Sequence, residues 1–188
     1  MKKTISNGEP SPSRRENAER EKNVTFQCLE TPQELKRVRK IAEEVWPETY
    51  RDIITPEQIR YMMEMMYSVP VMEKELFSGV FFDLCLVDGE DAGYISFSAC
   101  PDEPGTAKLH KVYLLGRFHG QGIGQKMLSH ACARCREKGF SDVILAVNKH
   151  NVKAQKAYAR AGFTVRKSVC KDIGEGFVMD DYIMGKKV

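Results

Sequence analysis

The stretch that decides the reading is KLHKVYLLGRFHGQGIGQKMLSHACARCREKG, Lys108 to Gly139. An apolar strand pattern through Tyr113, Leu114 and Leu115 breaks into His119-Gly120-Gln121-Gly122-Ile123-Gly124, and an amphipathic helix follows from Gln125. Glycines at alternate positions let the backbone turn sharply and leave several N–H groups pointing outward at the positive end of that helix. Such a turn is an anion cradle. Two common phosphate loops do not fit it. The dinucleotide fingerprint needs glycine where Gln125 stands, and the nucleoside triphosphate loop needs Ser or Thr after its lysine, whereas Lys126 is followed by Met127.

Downstream lie a strand pattern at 142–147 and the string Asn151-x-x-Ala154-x-x-x-Tyr158-x-x-x-Gly162-Phe163. The strand, glycine turn, helix, second strand and this string resemble, in order and spacing, the GCN5-related N-acetyltransferases (GNAT family). The resemblance spans roughly residues 24–188 and is densest over 108–163. It implies an α+β domain: a central mixed, twisted sheet of about seven strands flanked by four helices, in the order βααβββαβαββ. It also implies acetyl-CoA as cosubstrate, bound with its pantetheine arm along Tyr113, Leu114 and Leu115. The pyrophosphate would sit on His119, Gly120, Gln121, Gly122, Ile123, Gly124 and Gln125, with Asn151, Lys156 and Tyr158 completing the site. Lys126, Lys153 and Arg117 are further cations near the phosphates. The family's turn begins with Gln or Arg, so His119 departs from the pattern.

The reaction the resemblance implies is direct attack of an amine on a thioester, without an acyl-enzyme. An alkylammonium with pKa near ~10.4 is only about one part in 10³ neutral at pH 7, so a base or a pocket that lowers that pKa must help. Tyr158 matches the family's proton donor to the departing thiolate; packing the short helix onto the sheet is its other role. Asn151 suits a helix N-cap as well as a coenzyme A contact. For the base, Lys108 stands where relatives often carry Glu, and His110, two residues on, shares its strand face and titrates near ~6.5 unperturbed. Glu48, Asp181 and water are the other candidates.

A chain of 188 residues, 42% hydrophobic, is long enough for one well-packed domain and short for two. A net charge of +3 with interleaved signs does not point to nucleic acid. No apolar run approaches the ~20 residues of a membrane helix, and the N-terminus lacks the apolar centre of a secretory signal. The expected protein is cytoplasmic and uses a small-molecule amine, with no nucleic-acid or membrane partner and a homodimer left open. The six cysteines read as free thiols. Cys132-x-x-Cys135 shares an apolar helix face with Leu128 and Ala131, which makes it core rather than a metal site.

Residues 1–23 are nearly devoid of large apolar side chains and read as a tail. The remainder, 24–188, reads as one domain. A strand is expected at 24–29. Thr31-Pro32-Gln33-Glu34 opens a helix through Val45 that stops before Pro47, and Thr55-Pro56-Glu57-Gln58 opens a second, reaching about residue 67. Strands follow at 80–87, 92–99 and 107–115, the helix ending at Gly139, the strand at 142–147, a helix at 152–161, and strands at 164–173 and 177–185. The segment between the first strand and the hairpin should set acceptor choice. It is rich in aromatics and Met from Trp46 to Tyr67, and loosely resembles bacterial acetyltransferases that include polyamine-acetylating members. The same motifs would serve an enzyme that acetylates protein N-termini or lysines, or a silent coenzyme A sensor.

Overall fold

The computed structural model describes residues 22–188, so all but the end of the expected tail lies outside the described residues. Strands β1 (Val24–Leu29), β2 (Phe81–Val87), β3 (Glu90–Ala99) and β4 (Thr106–Leu114) pair antiparallel in sequence order. Strand β5 (Asp142–Asn148) joins β4 in parallel, and β7 (Phe177–Lys187) lies between β5 and the edge strand β6 (Thr164–Gly174). The result is a seven-stranded mixed sheet in the order β1-β2-β3-β4-β5-β7-β6.

Among the described residues five helices surround it, one more than expected: α1 (Pro32–Tyr50), α2 (Pro56–Tyr67), α3 (Val69–Phe77), α4 (Ile123–Glu137) and α5 (Val152–Arg160). The extra one is α3, which follows α2 after the single residue Ser68 and has a proline in its first turn. A second departure is that α1 runs through Pro47 to Tyr50. An interior proline costs ~3 kcal/mol, and aromatic packing on both sides of it offsets that. Trp46 is 1% exposed, its ring lies 4.6 Å from that of Tyr50, and its Nε1 donates to the Tyr67 hydroxyl at 3.0 Å. The N-terminus of α1 is closed as its sequence suggests, the Thr31 N–H donating to Glu34 Oε2 at 3.0 Å.

Helices α1 to α3 cover one face of the sheet and α4 the other. Tyr94 on β3 donates to Tyr67 of α2, while Asp83, paired with its neighbour Ile95, accepts from His130 and Arg134 of α4. Cys132 and Cys135 are 6% and 0% exposed, and burial pushes the Cys135 thiol up to about 12, as befits inert core residues. Among the described residues no group of His, Cys, Asp and Glu is placed to hold a metal ion, and no helix is long and apolar enough to cross a membrane.

Two irregularities shape the middle of the sheet. Ser96 pairs with Lys111 and Phe97 with Leu109, so His110 is an extra residue, a bulge in β4. The β4–β5 ladder covers only Thr106–Leu109 against Asp142–Leu145. Beyond it the two strands part and leave a wedge.

Candidate active site

A cavity of about 780 Å³ fills the wedge and continues to the N-terminus of α4. The turn between β4 and α4 forms its far end. Gly120 and Gly122 sit at φ +77° and +75°, where a side chain costs ~1–2 kcal/mol. A Cβ at 120, 122 or 124 would meet nothing within 4 Å, so the space over the turn is free for a ligand group. Gln125 and Lys126 return their N–H groups to the Gly122 carbonyl at 3.1 and 3.2 Å. Those of Ile123 and Gly124, in the first helical turn, have no helical partner. These free donors and the helix dipole fit the anionic pyrophosphate expected from the sequence.

His119 takes a defined part in this end of the cavity. Its Nε2 lies 2.9 Å from the Leu114 carbonyl oxygen, which only accepts, and its Nδ1 lies 2.8 Å from Lys153 Nζ, which only donates. With Nε2 as the donor to Leu114 and Nδ1 as the acceptor from Lys153, the ring anchors the Lys153 side chain at the cavity wall. Where Gln or Arg was expected, His119 presents a cation at second hand.

Of the residues expected to bind the donor, Tyr113, Leu114, His119, Gly120, Gly122, Gly124, Gln125, Asn151 and Tyr158 line this cavity. Four do not. Leu115 and Ile123 are each 2% exposed in the core, Gln121 is exposed with its amide donating to the Arg117 carbonyl, and Lys156 is exposed outside the wall. Arg117 is also drawn away, ion-paired to Glu44 and Glu90 at 2.7 and 2.6 Å. Asn151 caps α5, accepting from the Ala154 N–H at 3.1 Å. Gln125 donates to the Ala157 carbonyl at 2.9 Å and so ties α4 to α5. Tyr158 packs edge-on against Phe163, and burial raises its pKa, which keeps the phenol protonated.

A second, smaller cavity of about 170 Å³ lies on the α1–α2 side, and the two share a wall at the β4 bulge formed by Tyr50, Leu109, His110, Lys111, Tyr113 and Ala146. The Tyr50 and Tyr113 hydroxyls meet at 3.0 Å in that wall. Lys111 is 1% exposed, and its ammonium is held by Glu75 of α3 at 2.6 Å between the rings of Tyr67 and Phe82. Sequence reading missed both members of this pair. Strict alternation would place Lys111 on the face opposite Lys108, and only the bulge brings it round.

His110 hydrogen-bonds Ser98 Oγ through Nε2 at 2.8 Å. Its expected titration near neutrality is corrected by its surroundings: burial, with Lys111 and Lys108 adding to it, lowers the pKa to about 4. Between that value and the unfolded value of ~6.5 the unfolded chain binds more protons, so stability falls as pH drops through this window. The expected contribution is ~2–3 kcal/mol between pH 7 and about pH 4.5. His110→Gln should therefore lose less stability over that interval than the parent in denaturant titrations. Equal losses would mean that the ring titrates near its ordinary value.

The sequence pattern of the Acetyltransferase (GNAT) family matches residues 35–163. The chain is 28% identical over 130 residues to an uncharacterized N-acetyltransferase of Lactobacillus delbrueckii subsp. lactis, a match covering 66% of this chain and 75% of that one. It is 30% identical over 101 residues to an uncharacterized N-acetyltransferase of Mycobacterium bovis, covering 54% of this chain and 63% of the relative. Among solved structures, the PaiA N-acetyltransferase of Thermoplasma acidophilum, in complex with coenzyme A, superposes with a TM-score of 0.71 at 23% identity over 87% of this chain and 99% of that one. The ribosomal-protein-S18-alanine N-acetyltransferase of Escherichia coli gives 0.65 at 16% identity over 88% and 94%.

Proposed function

Because the chain belongs to the GNAT family of acetyltransferases, we propose that it transfers an acetyl group from acetyl-CoA to a primary amine of a small molecule. The observation that carries this reading is the junction of the two cavities at the β4 bulge. One arm leads to the glycine turn and suits an anionic donor. The other is a small pocket of about 170 Å³, close to the ~150 Å³ that holds a benzene-sized molecule. That size favours a small acceptor over a peptide laid in a groove. The Thermoplasma relative, with the same fold, is solved with coenzyme A, and the free space over Gly120, Gly122 and Gly124 supports the same donor here.

Acetyl-CoA supplies the acyl group as a thioester. Backbone groups of Val112 to Leu114, which have no β5 partner, suit an extended, amide-bearing arm laid in the wedge. A C–N bond forms as the C–S bond breaks. Of the two protons an ammonium sheds, one ends on sulfur and the other leaves to solvent. Tyr158 is the donor to sulfur, its raised pKa keeping the proton available. Neutral His110, bonded to Ser98, is a polar contact at the transfer point and a weak base for an ammonium.

Thiol release from acetyl-CoA with a panel of small amines tests the reading, and acceptor-dependent release is expected. A phenol is a weaker acid than a thiol, so its help is modest, and Tyr158→Phe should lower kcat by ~10², the low end for such groups, with acetyl-CoA affinity kept. An unchanged kcat under chemistry-limited conditions would remove Tyr158 from this role.

A further inference from the structure

The small cavity contains one carboxylate that the other described residues leave unanswered. Asp181 lies on β7 opposite Asn148 of β5, lines this cavity and is only 5% exposed. Among the described residues no hydrogen bond or ion pair reaches its carboxylate. The cations nearby are otherwise engaged or too distant: Lys149 is ion-paired to Asp180, Lys111 is held by Glu75, and Lys108 lines the cavity without reaching ion-pair distance. Burial and the Asp180 charge both disfavour the ionised form, while Lys108 and Lys149 offset them in part. A buried carboxylate without a partner costs free energy in the empty protein, and an arriving cation removes that cost.

The remaining walls say what the cation is attached to. Ile54, Met62, Met66, Val178 and Met179 supply apolar and thioether surface, and Trp46 closes the inner side. Methionines adapt to a slender chain. Gln58, which could have offered the ligand an amide, instead donates to the Val178 carbonyl at 2.8 Å and fixes α2 to β7.

We infer that Asp181 receives the ammonium of a short, unbranched alkylamine whose apolar body lies against Met62, Met66 and Met179. This rests on the acetyltransferase reading above and names the acceptor class and the residue that selects it. A charge-assisted contact of this kind is worth roughly 10- to 100-fold in affinity. Removing a lone buried carboxylate should also leave the fold at least as stable as before.

The experiment has two arms. In the first, n-butylammonium binding to the parent is measured by calorimetry without acetyl-CoA, beside n-butanol as the neutral isostere. At least tenfold preference for the cation is expected, and equal binding, or none by either, overturns the inference without any variant. In the second, Asp181→Asn is compared with the parent for n-butylamine acetylation, acetyl-CoA affinity and melting temperature. A KM for the amine raised 10- to 100-fold, with acetyl-CoA affinity and melting temperature kept, supports Asp181 as the ammonium receptor. An unchanged KM overturns it, and if the parent still releases thiol with amines, the acetyltransferase reading stands alone. Failure of the parent to bind acetyl-CoA would instead overturn that reading.

Discussion

Gly122→Glu is expected to bind acetyl-CoA ~10³-fold more weakly than the parent and to remain folded. The factor follows from a like charge about 4 Å from a phosphate, which costs about 4 kcal/mol at an effective dielectric constant of 20. The fold should survive because a Cβ at 122 meets nothing within 4 Å, leaving the backbone cost of a side chain at φ +75° as the main penalty. That cost is ~1–2 kcal/mol. Gly122→Gln, with the same bulk and no charge, should lose much less affinity. If titration calorimetry gives parent-like binding for the folded Glu variant, the donor's phosphates lie elsewhere.

Glu75→Gln should destabilise the protein by ~3–5 kcal/mol at neutral pH, because it leaves the Lys111 ammonium buried without a counter-charge. For a domain of this size that lowers the melting temperature by about 6 to 20 °C. The pH dependence identifies the cause. Burial lowers the Lys111 pKa and Glu75 opposes it, so loss of Glu75 lowers it further below the unfolded value of ~10.4. Between those two values the unfolded chain holds more protons, and the stability of the variant rises with pH. The gap between parent and variant should therefore narrow from pH 7 to about pH 9.5, by up to ~1.4 kcal/mol per unit. A gap that does not change with pH would point to lost packing instead.

The cavity proposed for the donor was largely legible in the sequence because its signals are local. A glycine turn, a helix N-terminus and the Asn151 cap depend on neighbours a few residues away, and Gly120, Gly122, Asn151 and Tyr158 do line the cavity. Where local reading named whole runs, it included Leu115 and Ile123, whose side chains lie in the core, so that Ile123 offers the cradle its backbone N–H alone. The acceptor side depends on long-range facts. The bulge at His110 arises from its register with β3 and turns Lys111 inward, and nothing in the residues around it announces this. Helix α3 had a readable start in Ser68-Val69-Pro70, but Glu75 gains meaning only from a lysine 36 residues away. Pro47 misled for the converse reason, since a local stop signal was outweighed by the packing of Trp46 and Tyr50. The His110 pKa followed the same rule, set by burial and two lysines rather than by residue type.

The short β4–β5 ladder has a thermodynamic consequence as well as a geometric one. Among the described residues it is the only pairing between strands β1–β4 and strands β5–β7, so two half-sheets meet along a seam of four residue pairs. A molecule lodged above that seam stands where further rungs would be and acts as a keystone between the halves. Its binding adds RT ln(1 + [L]/Kd) to the cohesion of the domain, about 2.7 kcal/mol at a hundred times Kd. The protein is thus most firmly one body when its wedge is filled, and each release of ligand removes that added cohesion.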